Sequence, residues 1–405
     1  MRKNKICLFQ KHLRKHILNF GINLRKFEFV YSPSNLKSIA KKKQYPKKIE
    51  NVFRIKKTNV LLRIRRLLGI PNIRIKFTKN DMLFTYGTLL ISNKPYCIYI
   101  ENGLALFNYD LTLSKNPIAI FLLRMAIRMK NFKKIIFMSQ TAEKSFYSTL
   151  KLNHRDEEII RQKSVQCYPL IKNPLTDAAL NIFAKRNKKN IKFLFTGTFY
   201  IKGGLEIINA FSELRKKYAN IKLTMICDSA IKPEDKEKIK NISEIEILES
   251  GFSEKEMFEK FYNTHDIFLM PTFRDSFCLV LIEALSAGMP IIANDQFAIK
   301  EMVIDSYNGF LFPDHPLKDY NSKTYELYGR LSEPINFYNK LFKFQEDGKT
   351  KPVEKFLYDS MEKFILNPAL IEKFSQNSLE LYNKKFRYDL ISDRIESIFL
   401  EAIEK

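Results

Sequence analysis

From Ile191 onward the chain alternates short, mostly apolar runs with longer stretches of helical spacing. Ile191 to Phe195, Ile221 to Cys227, Ile245 to Leu248, Ile267 to Met270, Pro290 to Ala293 and Gly309 to Phe312 read as strands buried on both faces. Between them Gly204 to Lys217, Pro233 to Lys240, Glu254 to Tyr262, Cys278 to Ala287 and a short stretch near Ile299 to Ile304 are spaced as helices. Strands alternating with helices predict a parallel sheet covered on both faces, with ligands bound beyond the C-terminal ends of its strands.

The first part repeats the pattern more roughly. Lys5 to Phe9, Lys26 to Tyr31, Asp81 to Thr85, Tyr96 to Ile100 and Ile135 to Met138 are expected strands, and Asn59 to Leu68 and Pro117 to Lys130 expected helices. The two prolines of Pro169 to Pro174 mark an extended linker. The division is therefore a domain over residues 1–170 and a second over 171–385, with an irregular, partly ordered insertion at about 320–352. A helix at 386–405 can pack back on the first domain. A chain of 405 residues is long enough for two cores.

Charge separates the two parts. Residues 1–170 hold 35 Lys and Arg against 9 Asp and Glu, and residues 171–405 hold 34 against 35. The basic surplus therefore belongs to the first domain, which is where an anion would be attracted. The five cysteines, at 7, 97, 167, 227 and 278, lack the close spacing of a disulfide scaffold or zinc site. His12 and His16 form the one short-spaced histidine pair, without a carboxylate nearby, so no metal centre is expected. No apolar run is long enough for a spanning helix, and Lys11, Arg14 and Lys15 interrupt the stretch that a signal peptide would need. The expectation is a cytoplasmic protein.

Two loops carry candidate chemistry. Gly197 and Thr198 leave a strand, and Lys202, Gly203 and Gly204 lead into a helix. Glycines that open backbone N–H groups at a helix start, beside a lysine, suit a phosphate or diphosphate. The spacing fits neither the P-loop nor the dinucleotide fingerprint, and a glycine-rich turn with a solvent lysine is the plainer alternative. In the second loop Ser276 is the expected N-cap, leaving the N–H groups of Phe277, Cys278 and Leu279 for an anion. Asp275 stands at the mouth and Glu283 about two turns inside the helix, in the apolar run Leu281 to Leu285. That separation fits gripping two hydroxyl-bearing parts of one elongated ligand better than a close acid–base pair. Helix-start electrostatics for Asp275 and solvent exposure for Glu283 are the alternatives, and a carboxylate in an apolar run needs a partner.

Taken together, Asp275, Phe277, Leu279, Val280, Glu283-Ala284, Ala287-Gly288 and Pro290, with Glu301 and Asn308-Gly309-Phe310 downstream, resemble the retaining glycosyltransferases called group 1 or family 4. The resemblance covers Ile191 to Phe312 and is faint before residue 160. It implies an α/β fold of GT-B type, two Rossmann-like doubly wound domains facing a cleft. It implies transfer of a sugar, of hexosyl or N-acetylhexosaminyl type, from a UDP- or GDP-linked donor to a hydroxyl of a glycan or lipid-linked glycan, without a metal. Glu283 would take the ribose hydroxyls and Asp275 those of the transferred sugar. The N–H groups around Phe277, Cys278, Leu279 and Val280 would orient sugar and phosphate, and Lys202, with Gly197, Thr198 and Gly203, would meet the departing diphosphate.

Three departures stand out. The family's Arg before the lysine is missing, with Thr198 following Gly197. Asp275 replaces the commoner Glu. Where the family's first domain carries a histidine, this chain has Glu101 or Asn102, and Glu101 reads equally as a sugar or acceptor contact and as an ordinary strand-end carboxylate. A nucleotide-sugar-binding protein without transferase activity and a nucleotide-sugar epimerase are the competing functions. For the basic first domain, an anionic membrane surface met through Leu61 to Leu68 or Ile118 to Lys130 is favoured over a soluble anionic acceptor or plain lysine-rich composition. Nucleic acid is not expected, since no reader motif is present. The corresponding location is the inner face of the cell membrane, held peripherally.

Overall fold

The computed structural model describes residues 3–9, 17, 19–21, 24–31, 60–175, 190–228, 231–328 and 334–404. Lys11, His12, Arg14, Lys15, His16 and Asn59, all singled out in the sequence, lie outside the described residues.

Two six-stranded parallel sheets form the frame. The first contains β1 (Asn4–Phe9), β2 (Phe27–Tyr31), β4 (Met82–Tyr86), β6 (Tyr96–Ile100), β7 (Phe132–Phe137) and β8 (Ser164–Gln166), in the order β2-β1-β4-β6-β7-β8; β3 (Ile73–Ile75) and β5 (Leu89–Ile91) pair separately. The second contains β9 (Ile191–Gly197), β10 (Ile221–Cys227), β11 (Ile245–Glu249), β12 (Ile267–Met270), β13 (Ile291–Asn294) and β14 (Gly309–Phe312), ordered β11-β10-β9-β12-β13-β14. Strand order reverses between β9 and β12, the point at which doubly wound sheets open a crevice for ligands. Both chemistry-bearing loops leave the sheet there. Every residue of β6 and β12 is buried, as the unbroken apolar runs require.

Helices cover both sheets. In the first domain they are α1 (Val60–Leu67), α2 (Pro117–Arg128), α3 (Gln140–Leu150) and α4 (His154–Lys163). The second domain has α5 (Gly204–Lys217), α6 (Pro233–Lys240), α7 (Val280–Ser286), α8 (Pro334–Glu346), α9 (Lys351–Leu366) and α10 (Ala369–Leu381), before the terminal α11 (Tyr388–Glu404).

Three expectations are corrected. The strip at 320–352 is not irregular throughout: Pro334–Glu346 is a helix, and Gly348 follows it at φ +68. Proline in the first turn and glycine past the last are helix punctuation. The helix expected from Cys278 begins at Val280. Finally, the segment expected as an extended linker packs into the core. Leu170 and Ile171 are fully buried, and the Tyr168 ring lies 4.7 Å from that of Phe386.

The terminal helix joins the two halves. Phe399 of α11 packs its ring 5.1 Å from Phe84 and 5.6 Å from Phe27 of the first sheet. Burying such a side chain contributes roughly 1.5–3 kcal/mol. Glu396 accepts the backbone N–H of Lys26 at 2.9 Å, and Lys134 pairs with Glu401 at 3.0 Å.

Candidate active site

The loop after β9 folds onto itself. The N–H of Lys202 donates to Thr198 O at 3.0 Å, that of Gly203 to Tyr200 O at 3.1 Å and that of Gly204 to Phe199 O at 2.7 Å. The expectation that Gly203 and Gly204 leave N–H groups open for a phosphate is therefore corrected: the turn consumes them, and the positive charge is carried by the Lys202 side chain. The glycines serve close approach instead. A Cβ on Gly197 (φ +144) would stand 2.9 Å from Lys202 Cγ, and one on Gly203 (φ +79) 2.5 Å from Pro271 O, so each lets the loop pack where a side chain would collide.

The loop after β12 is laced to the first, with Phe273 N–H donating to Ile201 O at 2.9 Å. Asp275, not Ser276, organises the helix entry. Its Oδ1 accepts the N–H groups of Phe277 at 3.0 Å and Cys278 at 2.8 Å. Cys278 sits at φ +67, which breaks helical geometry, so an Asx turn takes the place of an N-cap. Those N–H groups are thus satisfied internally. Asp275 Oδ2 pairs with the Lys202 ammonium. Burial alone would lower the Lys202 pKa, but Asp275 outweighs it and the ammonium is held above its ordinary value. Burial likewise opposes the Asp275 carboxylate, yet Lys202 and the two N–H groups hold its pKa down.

A cavity of 410 Å³ opens between the domains, and its wall includes Glu101, Asn102, Tyr109, Thr198, Lys202, Arg274, Asp275, Gln296 and Asp319. Glu101, Thr198, Lys202 and Asp275 are thereby brought together. Gly197, Gly203, Phe277, Cys278, Leu279, Val280 and Glu283 are not on that wall. Phe277 packs its ring 6.1 Å from Tyr168. Glu283 is buried and accepts the Tyr262 hydroxyl at 2.7 Å, which supplies the partner its apolar setting demands.

From the first domain, Glu101 projects at the end of β6. Its Oε2 accepts Tyr86 OH at 2.5 Å and its Oε1 Tyr109 OH at 2.6 Å. From the second, the Arg274 guanidinium lies 5.0 Å over the Phe337 ring; burial lowers its pKa and Asp319 opposes that. Burial raises Asp319 in turn, against Arg274. Arg274, Asp319, Gln296 and the tyrosines flanking Glu101 were not assigned from sequence. Arg274 had a signal, being the residue before Asp275 in a chain short of one arginine. Among the described residues no group of three His, Cys, Asp or Glu side chains is arranged to hold a metal ion.

The far side of the cleft is bridged. Glu301 accepts the N–H groups of Gln140 at 3.1 Å and Thr141 at 2.8 Å, at the start of α3, and the Tyr168 hydroxyl at 2.9 Å. A carboxylate from one domain thus caps a helix of the other. Leu327 N–H reaches Thr149 Oγ1 at 3.0 Å, and Lys151 pairs with Glu326 at 3.2 Å.

Residues 179–327 match the family model described as "Glycosyl transferases group 1". Over 119 residues the chain is 32% identical to the lipopolysaccharide 1,2-N-acetylglucosaminetransferase of Salmonella typhimurium, a match covering 27% of this chain and 31% of that protein. An uncharacterized glycosyltransferase of Methanocaldococcus jannaschii is 26% identical over 331 residues, covering 76% of this chain and 80% of that one. Among solved structures, Anabaena HepE in complex with UDP and glucose superposes with a TM-score of 0.55 at 12% identity, over 98% of this chain and 99% of the other. The chain therefore spans under a third of the Salmonella relative's length and most of the archaeal one's, and it shares the whole two-domain fold of the Anabaena protein.

Proposed function

We propose, from the match of residues 179–327 to the group 1 glycosyltransferase model and from the two-domain GT-B fold, that the cleft transfers a sugar from a UDP- or GDP-linked donor to a hydroxyl of a glycan or lipid-linked glycan. The observation that carries this reading is the convergence of Lys202, Arg274 and Asp275 at the switch point of the second sheet, opposite Glu101 of the first domain.

In this reading the acceptor oxygen bonds to the anomeric carbon on the face from which the nucleotide leaves. The bond to the diphosphate breaks with its electron pair going to the phosphate oxygen, and the acceptor proton passes to that oxygen. Negative charge develops on the diphosphate, where Lys202 is held charged and Arg274 adds a second cation; donors preorganised at developing charge act most strongly where water is excluded. Arg274 supplies the charge that the missing Arg of the first loop would have given. Asp275 leaves the Lys202 ammonium as the diphosphate arrives and takes hydroxyls of the sugar. Glu283, fixed by Tyr262, takes the ribose. Glu101, steadied by two tyrosine hydroxyls, receives the acceptor. We place the protein on the cytoplasmic side of a membrane, with the basic first domain facing anionic lipid.

Incubation with labelled nucleotide-sugars and soluble or lipid-linked glycans tests the proposal. Labelled product together with free nucleoside diphosphate is expected. Saturable donor binding with no product from any acceptor would make the protein a binder instead.

A further inference from the structure

We propose that the end of α1, the β3–β5 pair and the outer stripe of α2 form one face by which the protein docks on an anionic phospholipid bilayer, bringing the acceptor side of the cleft to the lipid surface. The inference rests on the transferase reading for its purpose, but its observations are separate.

Helix α2 is apolar apart from Arg124 and Arg128, which both pair with Asp156 of α4. Ala119, Leu123 and Ala126 are buried against the first domain, while Ile118, Phe121 and Met125, three and four residues apart, form a second stripe in solvent, with Phe121 59% exposed. A solvent-facing apolar stripe opposite the buried one needs cover of its own. The stripe continues onto neighbouring elements. The turn after α1 lies on the start of α2, since a Cβ at Gly69 would stand 3.1 Å from that of Ile118. Leu67, just before that turn, is 85% exposed. Ile75 and Ile91, register partners in the β3–β5 pair, are both exposed, and β5 contacts α2. Apolar exposure continuous over three elements marks an interaction surface rather than scattered surface residues.

Charge identifies the partner. Residues 60–131 carry eleven Lys and Arg and three acidic residues, and those three are engaged elsewhere: Asp81 accepts Lys5 N–H at 2.7 Å, Glu101 takes the two tyrosine hydroxyls, and Asp110 holds Arg66 at 2.7 Å; of the eleven cations, Arg124 and Arg128 pair with Asp156 of α4. Arg74, Lys115 and Lys130 are exposed around the apolar stripe. An apolar ridge ringed by cations matches the interface of an anionic bilayer, where acyl chains receive the former and headgroups the latter. Position gives the face its use. The Arg66–Asp110 pair joins the end of α1 to the residue after Tyr109, and Tyr109 lines the cleft and holds Glu101. An acceptor whose lipid tail stays in the bilayer would thus present its hydroxyl beside Glu101.

Co-sedimentation of the full chain with vesicles of phosphatidylcholine, alone or mixed with phosphatidylglycerol, tests this. Binding to the mixed vesicles at least about tenfold tighter is expected. The double substitution Leu67→Ser and Phe121→Ser should weaken that binding by about tenfold or more, since it removes the inserted apolar groups, and Arg74→Gln with Lys115→Gln should weaken it mainly at low salt. Thermal stabilisation by UDP or GDP, unchanged in all four substitutions, reports separately on the donor site and on folding. The docking proposal is overturned if the intact protein ignores anionic lipid, or if the substitutions leave vesicle binding unchanged. It is also overturned if Leu67→Ser with Phe121→Ser converts a dimer into a monomer, which would make the face a contact between copies of the chain.

Discussion

Lys202 and Asp275 are locked to each other across two loops, and the same Asp275 carboxylate also holds the entry to α7 through the N–H groups of Phe277 and Cys278. Asp275 therefore has one structural oxygen and one exchangeable oxygen, and the ion pair keeps the lysine charged. Lys202→Ala is expected to lower kcat by about 10²–10³, the usual effect of removing a group that stabilises developing charge, and to raise donor KM as well, because the same ammonium meets the diphosphate of the bound nucleotide. Steady-state release of nucleoside diphosphate checks it; a raised KM with kcat unchanged would assign Lys202 to ground-state binding alone.

Arg274 is expected to share that work. Arg274→Lys keeps a cation but loses the flat contact over Phe337 and the forked donor geometry suited to phosphate. A fall in kcat/KM of roughly tenfold or more is expected, with folding unchanged by circular dichroism. Full activity in Arg274→Lys would show that the position needs only charge.

Glu301 ties the domains through two backbone N–H groups and the Tyr168 hydroxyl. Glu301→Ala should cost about 1.5–3 kcal/mol, the range for hydrogen bonds to a charged group, and Tyr168→Phe about 1 kcal/mol. Denaturant unfolding measures both. Small-angle scattering of Glu301→Ala should show a more open particle.

Glu206, fully buried in the first turn of α5, accepts Gln345 Nε2 at 2.9 Å, and burial raises its pKa to about 7 from the ordinary 4.5. A carboxyl whose folded pKa is raised costs nothing below the unfolded value. Its cost grows as pH rises from about 4.5 to about 7 and is constant above. Glu206→Gln should therefore stabilise the protein at pH 8, by something on the order of 3 kcal/mol, with the gain vanishing toward pH 4.5. Melting temperatures of both proteins across that range decide; a gain independent of pH would contradict the assignment.

Cys278 adopts φ +67, in the left-handed region that favours glycine. Cys278→Gly should change stability by less than about 1 kcal/mol, relief of strain offsetting lost packing and chain entropy. Cys278→Val should cost about 2 kcal/mol or more, because a branched side chain resists this conformation. Chemical denaturation separates the two.

The second sheet was legible because strands buried on both faces are written as unbroken apolar runs, and the loops at its switch point carry glycines and a spaced acid pair. What escaped was local competition for hydrogen bonds. Ser276 had the composition of a cap, but Asp275 one residue earlier reaches the same N–H groups once Cys278 turns left-handed. Gly203 and Gly204 suggested open N–H groups, and the turn closes them with its own carbonyls. Side chains meeting from distant segments, such as Tyr262 on Glu283, Tyr109 on Glu101 and Arg274 over Phe337, leave no periodic trace. The Glu301 bridge depends on how the two domains sit together, which no single segment encodes.

The central claim is that Lys202, Arg274 and Asp275 form a nucleotide-sugar site. Its most direct test is thermal unfolding with UDP, GDP and their sugar conjugates, in the presence of a chelator, for the intact protein and for Lys202→Ala. The account predicts a saturable rise in melting temperature with one nucleotide family in the intact protein and a much smaller rise in the variant. A folded, intact protein stabilised by none of these nucleotides, or a variant stabilised as well as the parent, would contradict it.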